Sequence, residues 1–160
     1  MKILCLAATA AALCAAPAAA QVMTPSDYVA TAGASDLFER TSSTLILAST
    51  ANPTVREFAA MMIPAHTQSS AIVKAAAMRS RVMVRPARLS PAQAEMIAQL
   101  RAESGAARDA VYIAQQRSAH GGALAVQKAY AEAGTAPALK AVAVRIVPVV
   151  EQHIVMLKAM

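Results

Sequence analysis

"PALKAVAVRIVPVVEQHIVMLKAM", residues 137–160, decides the fold. Leu139, Val142, Ile146, Val149, Val150, Met156, Leu157 and Met160 recur at steps of three and four, so a helix gathers them into one apolar stripe. His153 falls inside that stripe, between Val149 and Leu157. A stripe of this kind needs partner helices to bury it, and a histidine inside it needs a polar partner in their shared interior.

Upstream the same pattern returns. Val55, Phe58, Ala59, Met62, Ile72, Val73 and Ala76 form a stripe that runs through His66, and His120 shares a face with Ile113 and Leu124. All three histidines are expected to point inward. Nothing after the first twenty residues alternates with period two, and Ala, Leu, Met, Gln, Glu and Arg fill the stretches between stop signals. Helix starts are marked by a capping residue followed by proline, whose missing N–H is harmless there: Thr24-Pro25, Asn52-Pro53 and Ser90-Pro91, the last with Gln93 completing a capping box. Thr135 with Pro137, after Gly134, predicts one more start. The expected helices span about 26–50, 53–80, 91–103, 105–133 and 137–158, boundaries good to a few residues. The fold class is therefore all-α: an antiparallel four-helix bundle with one short extra helix in the middle connection.

The chain has 160 residues, enough for one domain. Residues 1–20 combine basic Lys2, a short apolar run and Ala18-Ala19-Ala20, the pattern of a secretory signal peptide cleaved after Ala20. The single domain is then 21–160, its expected location periplasmic. Cys5 and Cys14 both lie in the leader, and bulky Leu13 before Cys14 argues against a lipoprotein anchor. An exported product thus has no thiol, disulfide or cysteine-bound metal. No later segment is long and apolar enough to span a bilayer. Without Lys2, 14 basic residues face 9 acidic ones, a net charge of +5. Arg79, Arg81, Arg85 and Arg88 crowd into "RSRVMVRPAR", where a contact with an anionic surface is possible. Nucleic acid is not expected, since no aromatics interleave the arginines to stack on bases.

Helix rise places the polar residues. Glu39 lies ~20 Å before the turn at Asn52 and His66 ~21 Å after it; His120 lies ~21 Å before Gly134 and His153 ~28 Å after it. A mid-bundle layer of Glu39, His66, His120 and His153 is the candidate site. Its metal reading is one divalent transition metal held by three imidazoles with Glu39 or water; its alternative is a mutually hydrogen-bonded polar layer that fixes helix register, with no cofactor. A di-iron site is disfavoured, because the residues three before the histidines are Ile63, Arg117 and Val150 rather than glutamates. No glycine-rich phosphate loop or mature cysteine nucleophile occurs. An acid–base couple of Glu39 or Asp109 with a histidine rests on spacing alone, so catalysis is not expected. Pro64 and Pro148 fall inside predicted helices near His66 and His153; the bends they impose are expected to free backbone carbonyls that an imidazole N–H can take up.

The blocks "SDLFERTSSTLIL" (35–47), "NPTVREFAAMMIPAHT" (52–67), "SGAARDAVYIAQQRSAH" (104–120) and "VPVVEQHIVMLKAM" (147–160) resemble, in order, those of a secreted bacterial family of unknown function, the DUF 4142 type, with a ferritin-like helical fold. Its members are often labelled predicted outer membrane proteins, although an outer-membrane span needs a closed barrel of alternating strands. The resemblance implies an up-and-down ferritin-like bundle and no established activity. Glu39 matches the family's acid on the first helix, and His66, His120 and His153 match its three histidines. Family members commonly place an acid just before the first histidine, and some before the second. Here Ala65 and Ala119 stand there, and Gln152 precedes the third, which implies imidazoles that are less basic and less well oriented. Pro148 fits the family block, whereas Pro64 departs from it.

The expected function is a structural or interaction module of the cell envelope, its partner an unknown envelope component. The alternative is a metal-binding protein using the His/Glu cluster.

Overall fold

The computed structural model describes residues 22–160. The leader, its cleavage site and both cysteines lie outside the described residues. Five helices follow one another: α1 (Pro25–Leu47), α2 (Pro53–Arg79), α3 (Pro91–Ala102), α4 (Gly105–Ala133) and α5 (Pro137–Lys158).

Local chemistry accounts for most boundaries. Thr24 Oγ1 accepts the Asp27 N–H at 3.1 Å, and Asn52 Oδ1 accepts those of Thr54 and Val55 at 3.0 and 3.3 Å. Ser90 and Gln93 close their capping box reciprocally at 3.2 and 2.9 Å. Thr135 does not cap α5. The cap position is Ala136, which has no side-chain hydrogen bond and is buried in the core beside Tyr130 and Leu139. A link this short sinks the capping residue into apolar surroundings, where a polar one would lose its water.

α1 and α2 form one hairpin and α4 and α5 another; α1 also packs on α4, α2 on α5, and α3 on α1 and α4. Cross-helix bonds fix the directions. Tyr28 meets Gln127, Ser42 meets Gln116, Ser43 meets Tyr112 and Thr50 meets Asp109, so numbers fall along α4 as they rise along α1. With both hairpins antiparallel, α2 and α4 must run the same way, and the chain has to return the length of the bundle between them. Residues 80–104 make that return. Arg81, at φ 55°, turns the chain out of α2 in the left-handed conformation, with Val82 N–H bonding back to Ala77 C=O at 2.9 Å.

The apolar core is in two parts. Tyr28, Val73, Ala76, Tyr130, Leu139, Val142 and Ile146 fill the end where α1 begins. Phe38, Ile46, Val55, Phe58, Met62, Ile97, Leu100, Tyr112 and Leu157 fill the other. On α5 the buried line runs Leu139, Val142, Ala143, Ile146, Val150, His153, Leu157. Val149, expected in the stripe, is 45% exposed; Ile146 to Val150 is already a full helical step, which turns Val149 outward.

Both interior prolines sit on exposed faces, as does Ala60, whose carbonyl Pro64 deprives of a donor. On an exposed face that carbonyl is open to hydration, which lowers the cost of the proline to the helix. The expectation that an imidazole takes up a proline-freed carbonyl does not hold: the carbonyl bonded by a histidine ring is Gln116 C=O, in α4, which contains no proline.

Candidate metal centre

Between the two apolar clusters lies a layer of buried polar side chains: Asp36, Glu39, Ser42 and Ser43 from α1, His66 from α2, Gln116 and His120 from α4, and His153 from α5. Each histidine interrupts an apolar face, His66 between Met62 and Val73 and His153 between Val150 and Leu157. The helical step that buries the flanking residues aims the rings into the same level.

His120 meets both other rings edge to face, and His66 and His153 are tilted to each other. The three centroids are 5.4 to 6.0 Å apart, and one ligand nitrogen from each ring lies within 4.8 Å of the others. Glu39 Oε1 stands 3.7 Å from His120 Nδ1. The four residues expected at mid-bundle therefore share one level. Asp109 does not join them: it bonds Thr50 Oγ1 at 2.8 Å beside the α1–α2 turn, eleven residues of α4 away from His120. This removes Asp109 as a catalytic partner for a histidine.

Hydrogen bonds assign the ring protons. Asp36 Oδ1 accepts from His66 Nδ1 at 2.8 Å, and Gln116 C=O accepts from His120 Nδ1 at 3.0 Å. Both Nδ1 atoms thus carry hydrogen, and in the neutral rings both Nε2 atoms carry lone pairs. His120 Nε2 faces His153 Nδ1 at 3.3 Å, while His66 Nε2 is buried with no hydrogen-bond partner. Glu39 Oε2 is likewise buried and unpartnered. Orphaned buried polar atoms are uncommon and call for an explanation.

The sequence reading missed Asp36, Ser70 and Arg40. Ser70 Oγ donates to Asp36 Oδ2 at 3.0 Å, and Arg40 Nη1 donates to Ser70 Oγ at 2.8 Å and to His66 C=O at 3.1 Å. This network orients His66, the task that an acid next to it in the chain was expected to perform. The legible clue was the spacing of Asp36 and Glu39, three residues apart and hence on one face of α1.

Burial sets the charge of the rest. It pushes His120 down to about 3, helped by the neighbouring His66 and His153 rings, and His153 down to about 4, helped by His66. It pushes Glu39 up to about 7, only partly offset by His66 and the Gln116 amide. At neutral pH, His120 and His153 are neutral donors. Phe58 lies against both at 6.2 and 6.5 Å between centroids, closing that side with apolar surface.

One pair of these ring nitrogens has the spacing that a divalent cation would require, and the third ring's lies within 4.8 Å of both. Two nitrogens at tetrahedral positions on a metal with ~2.05 Å bonds stand ~3.3 Å apart, the separation of His120 Nε2 and His153 Nδ1. His153 would present Nδ1 to a metal only after its proton moves to Nε2. The set is nitrogen-rich with one available carboxylate, the donor character of zinc, copper or nickel rather than magnesium or calcium. Among the described residues no second group of three such side chains gathers, and Arg117, at a position where a di-iron site needs glutamate, bonds Leu157 C=O through Nε and Nη2.

A family model described as "Domain of unknown function (DUF4142)" matches residues 8–160. Among solved structures the chain is similar to a protein from Streptomyces coelicolor described as a secreted protein, DUF305, with a TM-score of 0.68 and 14% identity over 84% of this chain and 88% of that one. At that identity the likeness shows the helical fold alone. No curated protein matches the chain. Among the described residues no helix is long and apolar enough to cross a membrane.

Proposed function

The chain belongs to the DUF4142 family, whose description assigns no activity, and we propose that it is an exported, ferritin-like bundle that binds one divalent transition metal ion at mid-bundle through His66, His120 and His153, with Glu39 or water in the fourth position. The observation that carries this reading is His66: its Nδ1 bonds a buried carboxylate, while its Nε2 is buried and unpartnered in a cluster of three imidazoles with ligand nitrogens within 4.8 Å of one another. An outer carboxylate on one ring nitrogen and a free lone pair on the other is how metal-ligating histidines are held. Export to the periplasm is supported by the leader pattern of residues 1–20.

Elemental analysis of protein purified without a histidine tag tests the reading. One equivalent of zinc, copper or nickel per chain is expected, lost in His66→Ala, His120→Ala and His153→Ala. Cobalt substitution should give the strong visible bands of a tetrahedral site. Absence of metal, with no rise in Tm on adding any of the three ions, overturns it; a metal present at 100 times its Kd stabilises by about 2.7 kcal/mol, too large to miss.

A second reading has its own observation. The 3.3 Å His120–His153 contact is also an N–H···N hydrogen bond, and a paired layer between two apolar clusters fixes helix register in a structural or interaction module of the envelope. In that case the histidine-to-alanine variants lose stability in metal-free buffer and the wild type gains none from metal.

A further inference from the structure

From Val82 to Leu89 the returning chain crosses α1 and α2 as an extended strap. Val82 and Val84 turn toward the core, while Met83, Arg85 and Arg88 stay exposed. Under the strap is a cleft of about 1080 Å³. Val29, Leu37, Val73 and Val84 contribute apolar lining, and Arg40, Lys74, Arg85 and Arg88 bring four cationic groups to it. Two acids, Asp27 and Asp36, also line it, but both Asp36 oxygens are taken by His66 and Ser70. Arg40 spends only Nη1 on the protein, which leaves Nε and Nη2 without a hydrogen-bond partner among the described residues.

Gly33 lines the same cleft, in the interior of α1. A Cβ at that position would meet Ala87 Cβ at 3.5 Å, an ordinary contact, so packing does not require glycine. Glycine inside a helix is less favourable than alanine. Its effect here is to keep the cleft open, because a longer side chain would project into it.

We propose that this cleft binds an amphiphilic organic anion, its carboxylate or phosphate head among Arg40, Lys74, Arg85 and Arg88 and its apolar tail against α1 and α2. A cleft large enough for a small molecule, with apolar and cationic side chains both in its walls, suits a ligand that has an apolar part and a negative charge. Half-buried Arg40 at its edge distinguishes it from a flat basic face that would lie on an anionic surface; Arg79 and Arg81, also exposed, do not line it. The proposal is independent of the metal, so metal-free protein is the sample.

Calorimetry and amide NMR would be run with dodecanoate, dodecyl phosphate, dodecanol and acetate, each below its micelle concentration. Both amphiphilic anions should bind one per chain, with dodecanol and acetate at least tenfold weaker. Gly33→Leu, and separately the triple change Lys74→Gln, Arg85→Gln, Arg88→Gln, should each weaken dodecanoate at least tenfold. Gly33→Ala should retain binding. The triple variant alters only exposed side chains, so it reads the head site even where Gly33→Leu fails to fold. The proposal is overturned by no binding up to millimolar dodecanoate, by binding that neither variant weakens, or by retention on anionic vesicles without binding of the free anion.

Discussion

The two sides of the polar layer are held by different means. On the α1–α2 side, His66 rests on Asp36, which is bonded in turn by Ser70, itself bonded by Arg40: a chain of hydrogen bonds beside an open cleft. On the α4–α5 side, His120 and His153 have a backbone carbonyl, each other and the face of Phe58. One side is fixed by hydrogen bonds to a carboxylate and the other by burial. A histidine on the first side keeps its orientation through a partner, whereas those on the second keep their neutrality through the absence of water.

The strongest way to break this contrast is Asp36→Ala, which leaves His66 Nδ1 and Ser70 Oγ without their acceptor. Leaving a buried donor without its acceptor costs about 1–3 kcal/mol, and urea denaturation of the metal-free variant should show a loss of that order. A drop of less than about 1 kcal/mol would mean that Asp36 is not what orients the layer.

The burial-held side makes itself known through pH. Unfolding returns His120 and His153 from about 3 and 4 to the ordinary histidine range, so the unfolded chain takes up two protons below about pH 6.5. Glu39 opposes this: held up at about 7 in the fold, it keeps a proton that the unfolded chain releases above about 4.5. Net uptake is one proton between about pH 4.5 and 6.5, so stability falls on acidification by about 1.4 kcal/mol per pH unit. Denaturation midpoints of metal-free protein across that window check it; replacing His120 and His153 together by phenylalanine should reverse the sign, leaving only the Glu39 contribution.

Pro64→Ala sharpens the contrast with the smallest effect. Because Pro64 and Ala60 face solvent, a Tm that is unchanged or raised by a few degrees is expected, with histidine NMR signals unmoved. Shifted His66 signals would show that the bend does reach the layer.

Helices and caps were readable from residues such as Thr24, Asn52 and Ser90, because capping is decided by neighbours three residues away in the chain. The common level of Glu39, His66, His120 and His153 followed from the rise per residue and two turns. Asp36 was not readable as the partner of His66, since that depends on how α1 and α2 are rotated about their axes and not on neighbours in the chain. Val149 shows the same limit on a smaller scale: periodicity places a stripe but not its width. The cleft beneath the strap arises from residues far apart in the chain, Gly33 against Ala87, and no local pattern announces it.

The parallel course of α2 and α4 has a consequence for assembly. The layer joins Asp36 to His153 across most of the chain, so its final ring arrives only with the last helix, and no fragment that stops short of α5 can complete it. Such distant pairings form late and slowly compared with hairpin contacts. The layer is therefore a property of the finished polypeptide, and a ribosome-bound chain does not yet possess it.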